Sequence, residues 1–179
     1  GEWWVQAISA SIPIHLFNDV KGKSALDLCA APGGKTMQLS AAGANVTAVD
    51  MSKVRAAKLK ENLARTSLNA NIVISDLFKI KGFFDIIILD APCSATGTVR
   101  RHPDLPYVKS QADLKKLFCL QYSMLEHAVS LMKPTTQLVY CTCSLFPQEG
   151  EHQVRKLLNE KHEILSLIHI SEPTRRITI

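Results

Sequence analysis

Two of the five cysteines in this chain of 179 residues lie in segments that suit covalent chemistry. Cys93 follows Asp90-Ala-Pro, and Cys143 stands between a threonine and a serine. A thiolate is a strong nucleophile, and a nearby carboxyl group can bind a substrate or move a proton. We therefore expect Cys93, Cys143 and Asp90 to act on one substrate. The residues alone leave open which thiol attacks.

For the other cysteines, Cys29, Cys119 and Cys141, we expect the ordinary role of a buried structural residue. The odd count and the absence of a Cys-x-x-Cys pair argue against a disulfide framework and favour the reducing cytoplasm. Cys141-x-Cys143 has no second Cys or His pair at zinc spacing, so we expect no metal.

A second segment with specialised residues, the glycine loop, follows a short apolar strand and opens a helix. It comprises Cys29, Ala30, Ala31, Pro32, Gly33, Gly34 and Lys35. Glycines let backbone N–H groups at a helix N-terminus approach a ligand closely. Asp50 ends the next strand, where a carboxylate can bind both hydroxyls of a ribose.

This loop can be compared with two phosphate-binding motifs. Gly34-Lys35-Thr36 matches the end of a P-loop, but Cys29 occupies its first glycine position. The dinucleotide pattern Gly-x-Gly-x-x-Gly is absent. The loop therefore favours a cofactor that has a ribose and no phosphates.

The elements that must position these residues alternate between apolar runs and helical periods. We predict strands at 24–29, 45–50, 71–75, 85–90 and 137–143, and helices at 36–42, 53–67, 111–132 and 148–161. Residues 91–110 form a long loop. This alternation is typical of an α/β protein with a parallel sheet that is covered on both faces. Adjacent strand ends would then bring both thiols to one crevice beside the glycine loop.

The first 22 residues are predicted to form a lead-in helix. Its candidates for packing, which could equally be surface residues, are Trp3, Val5, Ile8, Ile12 and Leu16. In the helix at 53–67, Ser52 is a suitable N-cap, and the predicted buried face comprises Val54, Ala56, Leu59 and Leu63.

Composition sets broad limits. The net charge of +5 is compatible with a polyanionic partner, but equally with a solvated surface. No apolar run reaches the roughly 18 residues of a membrane span, and no signal peptide is visible. The chain lacks an initiator Met, which suggests a fragment. We expect a cytoplasmic monomer without a membrane partner.

The C-terminal tail has an unusual sequence. Residues 165–175 are similar to the translation of a transposase adapter that is used in sequencing libraries. We therefore expect a catalytic domain at 1–164 and a non-native tail at 165–179.

Three motifs, at 27–35, 90–94 and 142–144, resemble the signatures of the NOL1/NOP2/Sun family of RNA cytosine-5 methyltransferases. The segment 90–104 is similar to bacterial Sun/Fmu-type members, and the resemblance covers Trp3 to Lys161. It implies a class I S-adenosylmethionine-dependent methyltransferase (Rossmann-like) fold with strand order 3-2-1-4-5. The family's last two strands would be missing, which would leave strand five as an uncovered edge. Thr135-Thr136 replaces a usual Gly-Gly, so we expect a strained turn there.

The resemblance also implies an activity, methyl transfer from S-adenosylmethionine to C5 of a cytosine in small-subunit (16S) ribosomal RNA. Cys143 would attack C6, Cys93 would assist product release, and Asp90 would bind the base at N3. The implied cofactor contacts are the glycine loop residues, Asp50, Asp76 and Asp90. Read without the family, Asp76 could simply cap a short helix.

Basic residues flank Cys93. Phosphate contacts are expected from Arg100, Arg101, His102, Lys109, Lys115 and Lys116, although a solvated basic face is the alternative for the two last lysines. Tyr107 could stack on a nucleotide.

Two other functions stay open. One is an inactive module that binds RNA or the cofactor. The other is a DNA cytosine-5 methyltransferase, which would take its nucleophile from the Pro-Cys after strand four, here Cys93.

Overall fold

The computed structural model describes residues 3–108, 110–160 and 168–171. Its centre is a six-stranded sheet in the order β3-β2-β1-β4-β5-β6, in which every neighbouring pair is parallel. The strands are β1 (Ser24–Leu28), β2 (Asn45–Asp50), β3 (Asn71–Ile74), β4 (Phe84–Asp90), β5 (Met132–Thr142) and β6 (Ile168–Ser171). The helices are α1 (Ile8–His15), α2 (Gly34–Ala41), α3 (Lys53–Arg65), α4 (Leu105–Val108), α5 (Gln111–Ser130) and α6 (Glu151–Glu160). The predicted order of the first five strands is confirmed.

Backbone geometry explains most boundary differences from the prediction. β1 ends before Cys29, because that residue has a positive φ of 64° and cannot continue a strand. α6 begins at Glu151 because Pro147–Glu149 form a separate 3₁₀ turn. The predicted loop 91–110 contains a 3₁₀ turn at Thr96–Thr98 and the short helix α4. Lys161, the predicted end of the last helix, lies outside the described residues.

β5 begins five residues earlier than predicted. Its pairing with β4 jumps from Phe84↔Met132 to Ile86↔Gln137, so β5 carries extra residues, including Pro134, in a bulge where the missing N–H is tolerated. Within the bulge, the Lys133 N–H donates to Thr136 Oγ1 at 2.7 Å. The expected turn at Thr135-Thr136 is therefore wrong, because this segment is part of the strand.

β5 is not the edge of the described sheet, which corrects the expectation of an uncovered strand. β6 pairs with it from Val139↔Ile168 to Thr142↔Ser171. A parallel ladder uses backbone groups, so an exposed edge can accept almost any extended segment. The non-native origin of the tail at 165–179, most of which lies outside the described residues, therefore stays a prediction.

Alternate residues of the central strands pack on opposite faces of the sheet, as expected for a strand that is covered on both sides. Leu26, Ile87 and Tyr140 pack with residues of α5 and α6. Ala25, Ile88 and Val139 pack with residues of α1, of α2 and of the segment that follows α1. This two-sided core holds the carboxyl ends of β1, β4 and β5 side by side.

The predicted packing of two helices needs correction. Trp3, Val5 and Ile8 are mostly exposed, Ile12 and Leu16 are half-buried, and the buried residues in this region include Ile14, Phe17 and Val20. In α3, Ala56, Leu59 and Leu63 are buried, whereas Val54 is 83% exposed. Because a helix has 3.6 residues per turn, Val54 lies almost opposite Ala56.

Candidate active site

The two cysteines meet where β4 and β5 end. Asp90 and Cys141 are register partners, and the Ala91 N–H donates to the Cys141 carbonyl at 3.0 Å. The chain then places Cys93 Sγ 3.3 Å from Cys143 Sγ, although 50 residues separate them. The structure thus brings together the thiols that the sequence indicated.

The environment of the pair affects the ionisation of Cys93. The hydrogen bond with Cys143, followed by burial, raises the pKa of Cys93 well above its ordinary value. This environment therefore disfavours the thiolate form of Cys93. Cys29 is also protonated, because burial and then the charge of Asp50 raise its pKa to about 12.

Asp90 forms an ion pair across the site. Lys35 Nζ donates to Asp90 Oδ2 at 2.8 Å, and the lysine side chain is only 12% exposed. Burial lowers the pKa of Lys35, but the charge of Asp90 and its hydrogen bond outweigh this and hold that pKa above its usual range. The ammonium group is thus charged, and it links the glycine loop to the end of β4.

α3 and the end of β2 hold the glycine loop in place. Asp50 Oδ2 accepts the Ala31 N–H at 3.1 Å and pairs with Arg55 at 3.2 Å. The Arg55 guanidinium donates to the Ala31 carbonyl at 2.5 Å, and Asn62 donates to the Pro32 carbonyl at 2.9 Å. Asp50 therefore orients the loop in addition to any ribose contact, which stays a prediction.

Gly33 is required for this loop geometry. Its φ is +107°, and a Cβ at this position would lie 2.3 Å from Leu59 Cδ1. Only glycine combines this φ with the close approach of α3.

Asp27 is a buried acid under the loop to which the sequence assigned no role. Its side chain accepts a hydrogen bond from Thr36 Oγ1 at 2.5 Å, and burial raises its pKa to about 7. Its other oxygen, Oδ1, is buried without a hydrogen-bond partner among the described residues. The available signal was an acid inside an otherwise apolar strand.

Asp76 caps the 3₁₀ turn Leu77–Lys79, where its Oδ1 accepts the Phe78 N–H at 3.1 Å. This is the simple capping role, and the expected cofactor contact of Asp76 stays a prediction.

A cavity of about 210 Å³ lies at the carboxyl ends of β4 and β5. Its lining includes Lys35, Asp90, Arg101 and Cys143, together with residues of α1. Among the described lining residues Cys143 is present and Cys93 is not. The cavity is smaller than the roughly 300 Å³ of a drug-sized site, and it suits a group the size of one base.

The sequence missed a buried polar cluster behind the cysteines. This cluster, the Glu149 network, consists of Ser94, Gln121, Ser144 and Glu149. All four side chains are buried, and Glu149 and Gln121 are fully inaccessible. Acid and amide side chains are seldom buried unless hydrogen bonds satisfy them. In the sequence, only the position of Glu149 six residues after Cys143 hinted at this.

Comparison with known proteins identifies the family. The sequence model of a family described as 16S rRNA methyltransferase RsmB/F matches residues 14–177. This chain belongs to that family. Over 162 residues it is 40% identical to ribosomal RNA small subunit methyltransferase B of Cronobacter sakazakii, which covers 87% of this chain and 38% of that protein.

Two solved structures have a fold similar to that of this chain. NSun6 from Pyrococcus horikoshii, solved with SFG, superimposes with a TM-score of 0.80 at 27% identity, covering 88% of this chain and 42% of that one. A methyltransferase homolog from the same organism gives 0.76 at 31%, covering 87% and 51%. The class I methyltransferase fold is thus confirmed. The chain spans about two fifths of the length of the curated relatives that it matches.

One of the basic residues predicted to contact RNA lies at the cavity of this RsmB/F member. Arg100, Arg101 and His102 are exposed, and Arg101 reaches the cavity lining. Lys115, Lys116 and Tyr107 are also exposed, with Tyr107 at 90%. Lys109 lies outside the described residues.

The remaining cysteines differ from each other. Cys141 is buried in the sheet, but Cys119 is exposed, so its predicted structural burial is wrong. Within residues 3–108, 110–160 and 168–171, no cluster of three or more His, Cys, Asp or Glu side chains is placed to hold a metal. In the same residues, no helix has the length and apolar character needed to cross a membrane.

Proposed function

We propose that this chain transfers a methyl group from S-adenosylmethionine to C5 of a cytosine in 16S ribosomal RNA, through a covalent bond between Cys143 and C6. Membership of the RsmB/F family supports the reaction class and the RNA. The observation that carries the mechanism is the pair of thiols 3.3 Å apart, with Cys143 and Asp90 both lining one cavity. The site of action would be the cytoplasm, where ribosomal RNA is present.

The residues present fit S-adenosylmethionine. The glycine loop offers closely approachable backbone, and Lys35, the one cation within it, is already paired with Asp90, which does not suit a phosphate. NSun6, a structural neighbour, was solved with SFG, an analogue of S-adenosylmethionine. When bound, the cofactor supplies the methyl group on a positively charged sulfur. The glycine loop, Asp50, Asp76 and Asp90 would hold it.

The first step assigned to this chain is addition of a thiolate. Cytosine C5 is a weak nucleophile, and attack of the Cys143 thiolate on C6 places electron density on C5. Cys143 is assigned as the attacking thiolate because it lines the cavity together with Asp90, whereas the hydrogen bond with Cys143 and burial disfavour the thiolate form of Cys93. Cytosine N3 is a hydrogen-bond acceptor, so Asp90, oriented by Lys35, would hold the base there through a proton shared between its carboxyl group and N3.

The second step regenerates the aromatic base. The C5 proton leaves to a base, the electron pair of its C–H bond restores the double bond, and the bond between C6 and Cys143 breaks. Cys93 lies 3.3 Å from the sulfur that must leave, which suits it to assist this release.

The base must leave its stack to reach the cavity, and the flanking cations would hold the phosphates around it. Arg101 carries this part of the proposal, because it is both exposed and in the cavity lining.

The decisive experiment compares Cys143→Ala with Cys93→Ala. Each protein is incubated with S-adenosylmethionine and a small-subunit ribosomal RNA fragment, and then run on a denaturing gel. We expect a protein–RNA adduct that accumulates in Cys93→Ala, because release is impaired, and no adduct in Cys143→Ala. Cys119→Ala, a change at an exposed cysteine, is the matched control.

The reverse pattern would overturn the assignment of the two cysteines. An adduct that forms with a DNA duplex and not with RNA would favour a DNA methyltransferase. Absence of cofactor binding by every form would favour an inactive binding module.

A further inference from the structure

We propose that Glu149 is a positioning residue that holds the Cys93 and Cys143 loops at their working separation. This role deepens the proposed function and rests on it. The contacts from Glu149 to the two loops run through the residues that follow the cysteines, Ser94 and Ser144.

One carboxyl group joins the two loops directly. Glu149 Oε1 accepts the Ser94 N–H at 2.8 Å, and Glu149 Oε2 is bonded to the hydroxyls of both Ser94 and Ser144. The two hydroxyls also lie 3.0 Å apart. Each cysteine is therefore one peptide bond from a side chain that is tied to the same carboxyl group.

Glu149 is itself anchored to the core. Gln121 Nε2 on α5 donates both to Glu149 Oε1 at 2.9 Å and to the Pro92 carbonyl at 2.8 Å. The Tyr140 hydroxyl on β5 donates to the Glu149 carbonyl at 2.7 Å. Glu149 is thus held at its backbone by a strand and at its carboxyl group by a helix, while the loops that it joins come from two different strands.

Because Glu149 is buried, its hydrogen bonds favour one arrangement of the two cysteine loops. Glu149 is completely inaccessible, and no lysine or arginine within 4.0 Å neutralises it among the described ion pairs. A buried carboxyl group is tolerated only while its hydrogen bonds are made. If either cysteine loop moves, a bond to this buried group is lost, so the network favours the geometry in which both loops are in place.

The chemistry needs such a restraint. One thiol must leave C6 while the other assists, so both sulfurs must stay close to the same carbon. A displacement of about 1 Å in a reacting group can reduce a rate by about a hundredfold. Glu149 touches no reacting atom, and its effect would be transmitted through Ser94 and Ser144.

The separation of the thiols can be measured without any methyl transfer. Diamide converts two close thiols to a disulfide: the thiols lose two protons and two electrons, and diamide takes these up to become the hydrazine. The rate of Cys93–Cys143 disulfide formation, followed by peptide mass mapping, reports how often the two sulfurs meet. This rate needs neither RNA nor cofactor, so it tests Glu149 even if the proposed reaction is wrong.

The main variant is Glu149→Gln, which keeps the shape but presents an amide to the two hydroxyls. We expect the disulfide rate to fall by about tenfold, the order expected for the loss of one hydrogen bond. In methyl-transfer assays, kcat should fall by a similar factor while KM for S-adenosylmethionine stays within about twofold. The matched control is Glu151→Gln, an exposed acid two residues later whose ion pair is on α6.

Ser144→Ala is the second variant, in case Glu149→Gln does not fold. It removes one hydroxyl from the network and should slow the disulfide reaction severalfold while the circular dichroism spectrum stays native. Both variants reacting at the rate of Glu151→Gln would overturn the proposal, as would a native chain that forms no Cys93–Cys143 disulfide. A drop in kcat with an unchanged disulfide rate would assign Glu149 a different role.

Discussion

The glycine loop and the cysteine pair both lie at the carboxyl ends of the strands, but they are held in place by different contacts. The loop takes its main contacts from residues nearby in sequence, 19 positions away for Asp50, 24 for Arg55 and 30 for Asn62. The cysteines are 50 positions apart, and Glu149 is 55 positions from Ser94. The loop is thus organised by the next strand and helix, whereas the thiol pair needs β4, α5 and β5 together.

Because of this difference, we expect the two regions to respond differently to substitutions. A change in the loop should affect cofactor binding and leave the thiol separation intact. A change in the Glu149 network should alter the thiol separation and leave cofactor binding intact. Lys35 is the exception, because its ion pair with Asp90 crosses between the two regions.

The largest expected effect is that of Gly33→Ala on the loop. Its Cβ would lie 2.3 Å from Leu59 Cδ1 at a φ of +107°, so we expect the free energy of unfolding to fall by about 3 kcal/mol. Cofactor binding should be lost, while the rate of Cys93–Cys143 disulfide formation should change little. Urea unfolding and a radiolabelled cofactor assay measure the first two effects.

Gly22→Ala is the control for backbone strain alone. Its φ is +73°, and nothing lies within 4 Å of the position that a Cβ would take, so we expect a loss of only about 1 kcal/mol. Equal losses in the two variants would mean that the approach of α3 to the loop does not matter.

The next effect concerns the link between the regions. Lys35→Met would leave Asp90 without its cation, and we expect a loss of about 1–2 kcal/mol, because the Asp90 side chain is 42% exposed and water replaces part of the pair. Unlike Gly33→Ala, it should impair both cofactor binding and adduct formation.

Lys58→Met breaks an exposed ion pair with Glu61 and serves as the matched change. It should cost less than about 0.5 kcal/mol. If Lys35→Met left adduct formation at the native level, the two regions would be independent.

Taken per pH unit, a smaller effect should appear in the pH dependence of stability. Burial raises the pKa of Asp27 from 3.8 to about 7 in the folded chain. Between these values only the folded state holds the proton. The associated stabilisation is therefore complete below pH about 4 and is lost as the pH rises through about 7, with a slope of at most about 1.4 kcal/mol per unit.

Asp27→Asn should remove this slope, measured by urea unfolding from pH 4.5 to 7.5. The exposed acid Asp19 provides the control Asp19→Asn. If the stability of the native chain changed no more with pH across this range than that of Asp27→Asn, the raised pKa of Asp27 would be contradicted.

The smallest effect should lie on the cysteine side, at Arg101. Arg101→Ala should weaken RNA binding by about tenfold or less and reduce the slope of log affinity against log salt by about one. Lys81→Ala, an exposed cation away from the cavity lining, should leave that slope unchanged. Equal salt slopes in the two variants would place the RNA elsewhere.

The strand order shows how far the sequence could be interpreted. Apolar runs that alternate with helical periods predict a parallel sheet, and its first five strands take the order that the family resemblance implies. The errors lie where the pattern of side chains does not match the conformation that the backbone adopts. The helix predicted at 111–132 overlaps the start of β5, in which a bulge accommodates Pro134. The predicted buried face of α3 includes Val54, although its position in the turn exposes it.

The sequence by itself determined the alternation of strands and helices and the glycine loop, and it indicated Asp90, Cys93 and Cys143 as candidates, because each of these depends on residue type and on short spacings. Only the tertiary structure decided that Cys93 Sγ lies 3.3 Å from Cys143 Sγ, that Lys35 pairs with Asp90, and that Glu149 joins the two cysteine loops. The contacts of Cys93 with Cys143, of Lys35 with Asp90 and of Ser94 with Glu149 join residues 50 to 55 positions apart. Such contacts depend on which strands become neighbours, and no local pattern encodes the identity of a distant partner.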